Sequence, residues 1–185
     1  MTVRRTAIVA ILIIVGAAAI ELAMGRNPIC TCGTVALWVG ERDSPRTSQM
    51  FADWYSLSHV VHGLLFYAAL WLLLRRWPVR HRFLAALSIE TAWELIENTP
   101  VVINRYRATT AALGYSGDSI VNSMSDILMM CLGFLIARKL PLWASVVLVV
   151  ILEIVPLFVI RDNLTLNIWA LLMPNAAIQA WQAGR

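Results

Sequence analysis

Long apolar runs separated by short polar segments occupy most of the chain, and six of them approach the length of a membrane-spanning helix, which needs about 20 mostly apolar residues. The pattern predicts spans at about 6–24, 56–74, 83–98, 119–137, 142–160 and 164–181. The last run contains Pro174 and Asn175. It is therefore interpreted as a kinked sixth span, with a re-entrant segment or an interfacial helix as alternatives. Residues 1–185 are predicted to form a single integral membrane domain, an all-α polytopic bundle of five to six spans.

Composition supports a membrane protein over the soluble classes. Hydrophobic residues make up 59 % of the chain, charged residues 14 %, and the mean hydropathy is +0.71. Ordinary soluble domains have about 45–50 % apolar and about 25 % charged residues. These values argue against a disordered chain, a coiled coil or a nucleic-acid-binding domain. The first run follows Arg4 and Arg5 and carries Glu21 where a signal peptide would be cleaved, so it is predicted to be an uncleaved signal-anchor.

Basic residues predict the orientation, because cytoplasmic segments of membrane proteins are enriched in Lys and Arg. With a cytoplasmic N-terminus and six spans, nine of the fifteen basic residues lie inside: Arg4, Arg5, Arg75, Arg76, Arg80, Arg82, Arg138, Lys139 and Arg185. None of the eleven acidic residues lies in a predicted cytoplasmic segment. Two outer loops, 25–55 and 99–117, follow from this arrangement.

Ionisable and polar residues recur at helical spacing within the apolar runs, although a charge at the centre of a membrane helix costs roughly 2.5–3.5 kcal/mol on insertion scales. Residues three, four or seven positions apart share a helix face. Three such stripes are His59 and His62; Glu90, Glu94 and Glu97; and Asp118, Asn122 and Asp126. Asp118 also suits the N-cap of its helix. Most of these positions lie in the outer halves of the predicted spans, which predicts a polar cavity open to the outer face.

The stripes carry residue types suited to acid–base or metal chemistry. The candidate catalytic residues are His59, His62, Glu94, Glu97 and Asp126. Imidazole and carboxylate together suit zinc, manganese or iron, and a divalent metal would be held by His59, His62, Glu94 and Asp126. A metal-free acid–base site, a proton or cation path, and plain interhelical hydrogen bonding remain alternatives.

Arginines and amides near the outer face are candidates for binding a substrate. Arg105, Arg107 and Arg161 suit a phosphate or carboxylate, with pairing inside a solvated loop as the alternative. The remaining candidates for substrate binding are Asp118, Asn122 and Asn163. Asn163 is equally suited to form hydrogen bonds between helices. A lipid headgroup or a polyprenyl phosphate would fit such a site, whereas nothing predicts nucleic-acid binding. The Cys30-Thr31-Cys32 spacing is short for a disulfide, and no redox role is predicted for it.

Several motifs together resemble uncharacterised protein family 0314, also described as domain of unknown function 2585. They are Asp53 to Gly63 (DWYSLSHVVHG), Trp93 to Asn98 (WELIEN), Arg105 to Leu113 (RYRATTAAL), Gly117-Asp118-Ser119 with Asn122 and Asp126, and Arg161 to Thr165 (RDNLT). The resemblance covers nearly the whole chain. It implies a multi-pass protein of the bacterial inner (plasma) membrane, of the alphaproteobacteria, with no established activity.

A weaker resemblance links the chain to YjdF-like and VanZ-like membrane proteins. It depends on His59, His62 and Gly63, on Trp93, Glu94 and Glu97, and on Gly117, Asp118, Asp126 and Gly133. The glycopeptide tolerance associated with VanZ-like proteins is not carried over, because the chain lacks their short, compact layout.

The leading hypothesis is a periplasm-facing membrane enzyme or binding protein for a lipid-linked or anionic envelope substrate, surrounded by membrane lipids. A non-catalytic assembly or structural subunit is the first alternative. A small transporter or proton/cation pathway is the second, although it would require polar residues to continue to the cytoplasmic side, where the helices are nearly all apolar.

Overall fold

The computed structural model describes residues 1–110 and 114–184, and the regular secondary structure of these residues is entirely helical. The helices are α1 (Val3–Ala23), α2 (Ser56–Leu73), α3 (Val79–Glu97), α4 (Pro100–Thr109), α5 (Ile120–Lys139), α6 (Leu142–Ile160), α7 (Leu164–Leu172) and α8 (Ala176–Gln182). The all-α prediction is confirmed. Residues 111–113 of the RYRATTAAL motif and Arg185, which was predicted to be cytoplasmic, lie outside the described residues.

Four of the helices in the described residues, α1, α2, α5 and α6, are long and apolar enough to cross a membrane. Helix α3 has 19 residues, which corresponds to a length of about 28 Å. It is less apolar because it carries arginines at its start and glutamates along its second half. It packs against α1, α2 and α5 and fully buries Glu90 and Glu94. Five of the six predicted runs therefore each coincide with one long helix.

Helices α2 and α5 run in the same direction, and this direction defines two ends of the bundle. His59 of α2 lies near Asp126 of α5, and further along both helices the rings of Tyr67 and Phe134 are 5.1 Å apart. We call the end where α2 and α5 begin the acidic end. At the other end, the basic end, Arg80 at the start of α3 donates to the backbone carbonyl of Met1 at 2.6 Å.

The backbones of α2 and α5 touch at two glycines. A methyl group on Gly63 would overlap the backbone carbonyl of Met130, and one on Gly133 would overlap that of Val60. Small residues at such a crossing allow membrane helices to approach closely. Around the crossing, the side chains of Leu87, Ile127, Met130 and Phe134 form a fully buried apolar cluster.

Helix α4 lies within the predicted second outer loop, for which no helix was predicted. Pro100 occupies the first turn of α4. Proline is favoured there because its missing N–H would have no helical partner and its φ already suits a helix. Thr99 precedes it in an extended conformation as the N-cap. This short helix contacts α3 and α7 and so covers part of the acidic end.

The run 164–181, predicted as a kinked sixth span or a re-entrant or interfacial segment, is interrupted as its proline indicated. The run forms two short helices, α7 and α8, with Pro174 in the break between them, because proline lacks the N–H that would continue α7. The two ends of the run meet. Gln182 donates to Asp162 at 3.0 Å, and Arg161 donates to the Trp181 carbonyl at 3.0 Å. The segment is therefore a helical hairpin that returns to the acidic end, as in the re-entrant alternative.

Arg42, in the loop after α1, forms hydrogen bonds to the ends of both α6 and α8. Its Nη1 donates to the backbone carbonyls of Ile160 at 2.9 Å and of Gln182 at 2.7 Å. These carbonyls belong to the end of α6 and the end of α8, so one guanidinium joins both. The loop that follows α1 thus determines where the last two helices lie.

Candidate functional site

Five ionisable side chains from three helices meet near the acidic end, and we call them the His–carboxylate cluster: His59, His62, Glu90, Glu94 and Asp126. Helix α2 supplies the imidazoles, α3 the glutamates and α5 the aspartate. The i, i+3 and i, i+4 spacings place each set on one helix face. The glycine crossing of α2 and α5 lies one turn below, which brings these two faces together.

Glu90 is the centre of the hydrogen bonding in the cluster. Its Oε1 lies 2.6 Å from Nδ1 of His59, and its Oε2 lies 3.0 Å from Nδ1 of His62. Its side chain is fully buried. One carboxylate therefore holds both imidazoles by Nδ1 and fixes their ring orientations. For His59, this leaves Nε2 facing Asp126, whose Oδ2 is 3.8 Å away.

Two carboxylate oxygens of the cluster are buried and receive no hydrogen bond from any residue that the structure describes. Glu94 Oε1 lies 3.3 Å from His59 Nδ1, but no well-directed hydrogen bond reaches it. Asp126 Oδ1 also has no hydrogen-bond partner. Their residues are 1 % and 4 % exposed, so bulk water does not satisfy them. Buried carboxylates in this condition require a cation or a proton.

The cluster opens into a cavity of about 780 Å³, within the range of small-molecule sites. Its polar part is lined by His59, His62, Glu97, Asp118 and Asp126, together with Arg42, Asp43, Tyr55, Tyr106 and Tyr115. Its apolar part is lined by Leu65, Phe66, Ile89, Trp93, Ile168 and Leu171. Leu65 and Phe66 follow His62 by three and four residues along α2, so on this helix the apolar part lies about one turn, roughly 5 Å, deeper in the bundle than the imidazoles.

The cavity also opens sideways. Leu65, Ile89 and Ile168 line it and are 48 %, 46 % and 47 % exposed. These residues belong to α2, α3 and α7. Because all three are both exposed and part of the cavity wall, we infer an apolar opening on the flank of the bundle between these three helices.

Asp118 belongs to a polar network in the wall of the chamber. Its carboxylate accepts hydrogen bonds from Asn98 at 2.9 Å and from the Tyr115 hydroxyl at 3.1 Å. Burial raises the pKa of Asp118, and these two donors counteract part of that rise. The predicted capping role is wrong, because Ser119 is the N-cap of α5 and accepts the Asn122 N–H.

The three arginines predicted to hold an anion do not line the cavity. Arg105 donates to the Leu171 carbonyl at the end of α7, Arg107 to the Tyr115 carbonyl, and Arg161 to the Trp181 carbonyl. Each satisfies a backbone carbonyl at a helix end or in a loop. The structure therefore does not bring them together with the cluster.

The two predicted asparagines also make local structural contacts. Asn122 donates to the Met50 carbonyl at 3.0 Å and ties α5 to the long loop. Asn163 is the N-cap of α7 and donates to the Glu153 carbonyl. Neither lines the cavity.

Sequence reasoning omitted three features of the chamber from the predicted site. Glu90 was on the glutamate stripe, and its spacing of four from Glu94 was the signal that placed it on the same face. Arg42 and the three tyrosines of the chamber, Tyr55, Tyr106 and Tyr115, come from loops and helix ends where no periodic pattern exists. Only the folded chain brings them to one place.

Two further features lie in the polar segments of the acidic end. Asp162 accepts hydrogen bonds from Tyr55 at 3.0 Å and from Gln182, and burial raises its pKa to about 6. Cys30 and Cys32 form a disulfide in the first loop, a pairing that their spacing did not predict.

Comparison with known proteins matches this chain to one family throughout most of its length. The family model described as "Protein of unknown function (DUF2585)" matches residues 21–184. A UPF0314 protein of Paracoccus denitrificans is 53 % identical over 172 residues, covering 93 % of this chain and 89 % of its own length. UPF0314 proteins of Rhizobium etli and Sphingopyxis alaskensis are 51 % and 49 % identical, over 89 % and 90 % of this chain and 84 % and 89 % of their own lengths. No solved structure matches the chain at a significant level.

Proposed function

We propose a function from the site itself, because the chain belongs to the DUF2585 family, also named UPF0314, whose description gives no activity. The protein binds an amphiphilic envelope molecule, such as a lipid-linked substrate, from the outer leaflet of the inner membrane. The polar head lies in the chamber beside the His–carboxylate cluster. The apolar chain leaves through the opening on the flank of the bundle.

One observation carries this proposal: a polar chamber and an apolar opening belong to the same cavity. Asp43, Tyr115 and Asp118 of the polar part lie in segments at the acidic end, and Leu65 and Phe66 lie deeper along α2. A bilayer has the same order, with headgroups above hydrocarbon. A molecule with a polar head and a hydrocarbon chain therefore suits the cavity better than a fully polar solute does.

The acidic end faces the periplasm in this proposal, and α1, α2, α3, α5 and α6 cross the membrane. The positive-inside rule supports the orientation, because the segments at the basic end carry Arg75, Arg76, Arg80, Arg138 and Lys139. The Cys30–Cys32 disulfide in the first loop is also typical of an oxidising compartment.

The walls of the chamber constrain the head of the ligand. Asp43, Glu97, Asp118 and Asp126 line it, and Arg42 is already bound to Asp43 at 2.6 Å. An anionic head would be repelled by this surface unless a cation lay between them. The head is therefore either rich in hydroxyl or amino groups or reaches the acids through a bound metal.

Transport across the whole membrane receives less support from the architecture. Below the cluster, Leu87, Met130 and Phe134 are fully buried in an apolar layer between α2, α3 and α5. An ion or a polar solute crossing this layer would lose its hydration without gaining polar partners.

The proposal is tested by purifying the full chain in a mild detergent, identifying retained lipids by native mass spectrometry, and comparing two variants. Leu65→Trp fills the opening with a larger apolar side chain, and Leu128→Trp adds the same group at a site of equal exposure on α5, outside the cavity. We expect a defined lipid on the wild type and on Leu128→Trp, and its loss from Leu65→Trp.

Equal lipid retention by all three proteins would contradict the proposal, because nonspecific lipids on the outer surface do not depend on the opening. Absence of any lipid together with a stoichiometric protein partner would instead support the structural-subunit alternative. Fragmentation of the retained lipid identifies its head chemistry.

A further inference from the structure

We infer that the bundle contains a divalent transition-metal site whose ligands are His59, Glu94 and Asp126, one residue from each of α2, α3 and α5. This inference goes beyond the proposed lipid binding and does not depend on it. One ligand atom from each residue lies within 4.8 Å of the others. The juxtaposition of an imidazole and two buried carboxylates on three different helices is the observation from which the site is inferred.

The spacing of the donor atoms suits a metal of the zinc class. In a tetrahedral site with bonds of about 2.1 Å, neighbouring ligand atoms are separated by about 3.4 Å. Asp126 Oδ2 lies 3.8 Å from His59 Nε2, the nitrogen that Glu90 leaves free, and one ligand atom of each of the three residues lies within 4.8 Å of the others. These separations are close to the tetrahedral value but somewhat larger, so the three side chains must approach one another to bind one ion.

The two carboxylate oxygens without hydrogen-bond donors supply a second, independent observation. Glu94 Oε1 and Asp126 Oδ1 are buried and accept no hydrogen bond, and their residues are more than nine-tenths buried. Satisfied carboxylates in a structural network would accept hydrogen bonds from neighbouring donors. Oxygens left open in the same small space are suited to bind a cation.

The charge balance around the site also favours a cation. Glu90, Glu94 and Glu97 from α3 and Asp126 from α5 lie near His59 and His62 from α2, and the buried Asp53 and Asp118 approach from the flanking segments. Six carboxylates thus surround two imidazoles. Even with both imidazoles charged, the carboxylates remain in excess, and a divalent ion reduces their repulsion.

Glu90 acts as a positioning residue for the metal ligand. It holds Nδ1 of His59 at 2.6 Å. A carboxylate that accepts the N–H of a metal-binding histidine fixes its tautomer and raises the basicity of the other nitrogen. In this arrangement Nε2 of His59, on the side of Asp126, is the nitrogen offered to the metal.

His62 lies outside this ligand set. Its Nδ1 is held by Glu90, and the triad that includes it is His59, His62 and Glu90. Three protein ligands leave a fourth position open, as in catalytic metal sites. Both His59 and Asp126 line the cavity, so a ligand in the chamber can reach that position.

The test uses the full chain, purified with a tag free of histidine, stripped with a chelator and titrated with ZnCl₂ and with MnCl₂ against a competing indicator. Glu94→Gln and Asp126→Asn preserve side-chain shape and remove a ligand charge. Glu41→Gln removes an acidic charge from an exposed loop position and is the matched control. We expect one metal per wild-type and control chain, and a loss of affinity of about 100-fold or more in each ligand variant.

Thermal unfolding separates ligand loss from misfolding. Without metal, the ligand variants should be as stable as the wild type or more stable, since each removes a buried charge, and only the wild type and the control should gain stability when metal is added. The inference is overturned if the wild type binds neither metal, or if both ligand variants bind it within threefold of wild type. Leu65→Trp should bind metal normally, so failure of lipid binding and failure of metal binding are distinguishable.

Discussion

Gly63 of α2 and Gly133 of α5 form the point at which two parallel helices touch backbone to backbone, and each glycine lies where any side chain would overlap a carbonyl of the other helix. His59 lies one turn from Gly63, and Asp126 lies two turns from Gly133. Because both positions are glycine, α2 and α5 approach closely enough to place the His59 imidazole near the Asp126 carboxylate. The chemistry of the cluster depends on this crossing.

Gly63→Ala should destabilise the bundle, because the helices must separate to accommodate the methyl group. Overpacking of this kind costs about 1–3 kcal/mol. Thermal unfolding in detergent measures the loss. Gly16→Ala in α1 is the matched control, because a methyl group there meets no atom within 4 Å. A helical alanine with free space should be neutral or stabilising by up to about 1 kcal/mol. Equal effects at the two sites would contradict the role of the crossing.

Glu90 and Glu94 should respond oppositely to the same substitution. Glu90→Gln removes the negative charge from the carboxylate that holds both imidazoles, and should destabilise the protein by about 3 kcal/mol, as when one partner of a buried pair is removed. Glu94→Gln removes a buried charge whose Oε1 has no hydrogen-bond donor and should be neutral or stabilising in metal-free protein. Unfolding after chelator treatment measures both. Similar losses in the two variants would show that Glu94 has a partner in the folded protein.

Reporter fusions test the hairpin in the last predicted run. Since residue 182 lies beside Asp162 at the acidic end, alkaline phosphatase fused after Gly184 should be active in the periplasm, and green fluorescent protein fused there should be dark. The same reporters inserted at Trp77, between α2 and α3, should give the reverse result. If the last run crossed the membrane, alkaline phosphatase after Gly184 would be inactive and green fluorescent protein there would fluoresce. The results at Trp77 would not change.

Asp162 should make stability depend on pH between about 4 and 6. Its pKa is raised from the usual 3.8 to about 6, chiefly by burial, so the folded state favours the protonated form. That contribution to stability is full below pH 3.8 and is lost as the pH rises through 6. The shift corresponds to about 3 kcal/mol. Asp162→Asn should therefore gain stability relative to wild type at pH 7.5 and show no gain at pH 3.5.

The stability of Asp162→Asn and that of wild type are measured by unfolding across that pH range. Only the difference between the two reports on Asp162, because other acids titrate in both proteins. Asp43→Asn is the control, since Asp43 is an exposed carboxylate paired with Arg42. A pH-independent difference between Asp162→Asn and wild type would contradict the raised pKa.

The sequence alone determined the five long helices and the polar stripes that three of them carry. The length of an apolar run is set by the thickness of the bilayer, so the five long helices could be predicted from hydropathy and the chain pattern. The stripes through His59, Glu94 and Asp126 could also be predicted, because helical spacing is a local property.

Only the tertiary structure decided which polar stripes lie close together and which predicted site residues bond to backbone carbonyls instead. Glu90 became central because the glycine crossing determines how α2 faces α3 and α5, and Arg105, Arg107 and Arg161 were used to satisfy backbone carbonyls. The hairpin of α7 and α8 depends on contacts between residues far apart in sequence, above all those of Arg42. Periodicity describes one helix at a time, whereas these contacts depend on the relative positions of several helices.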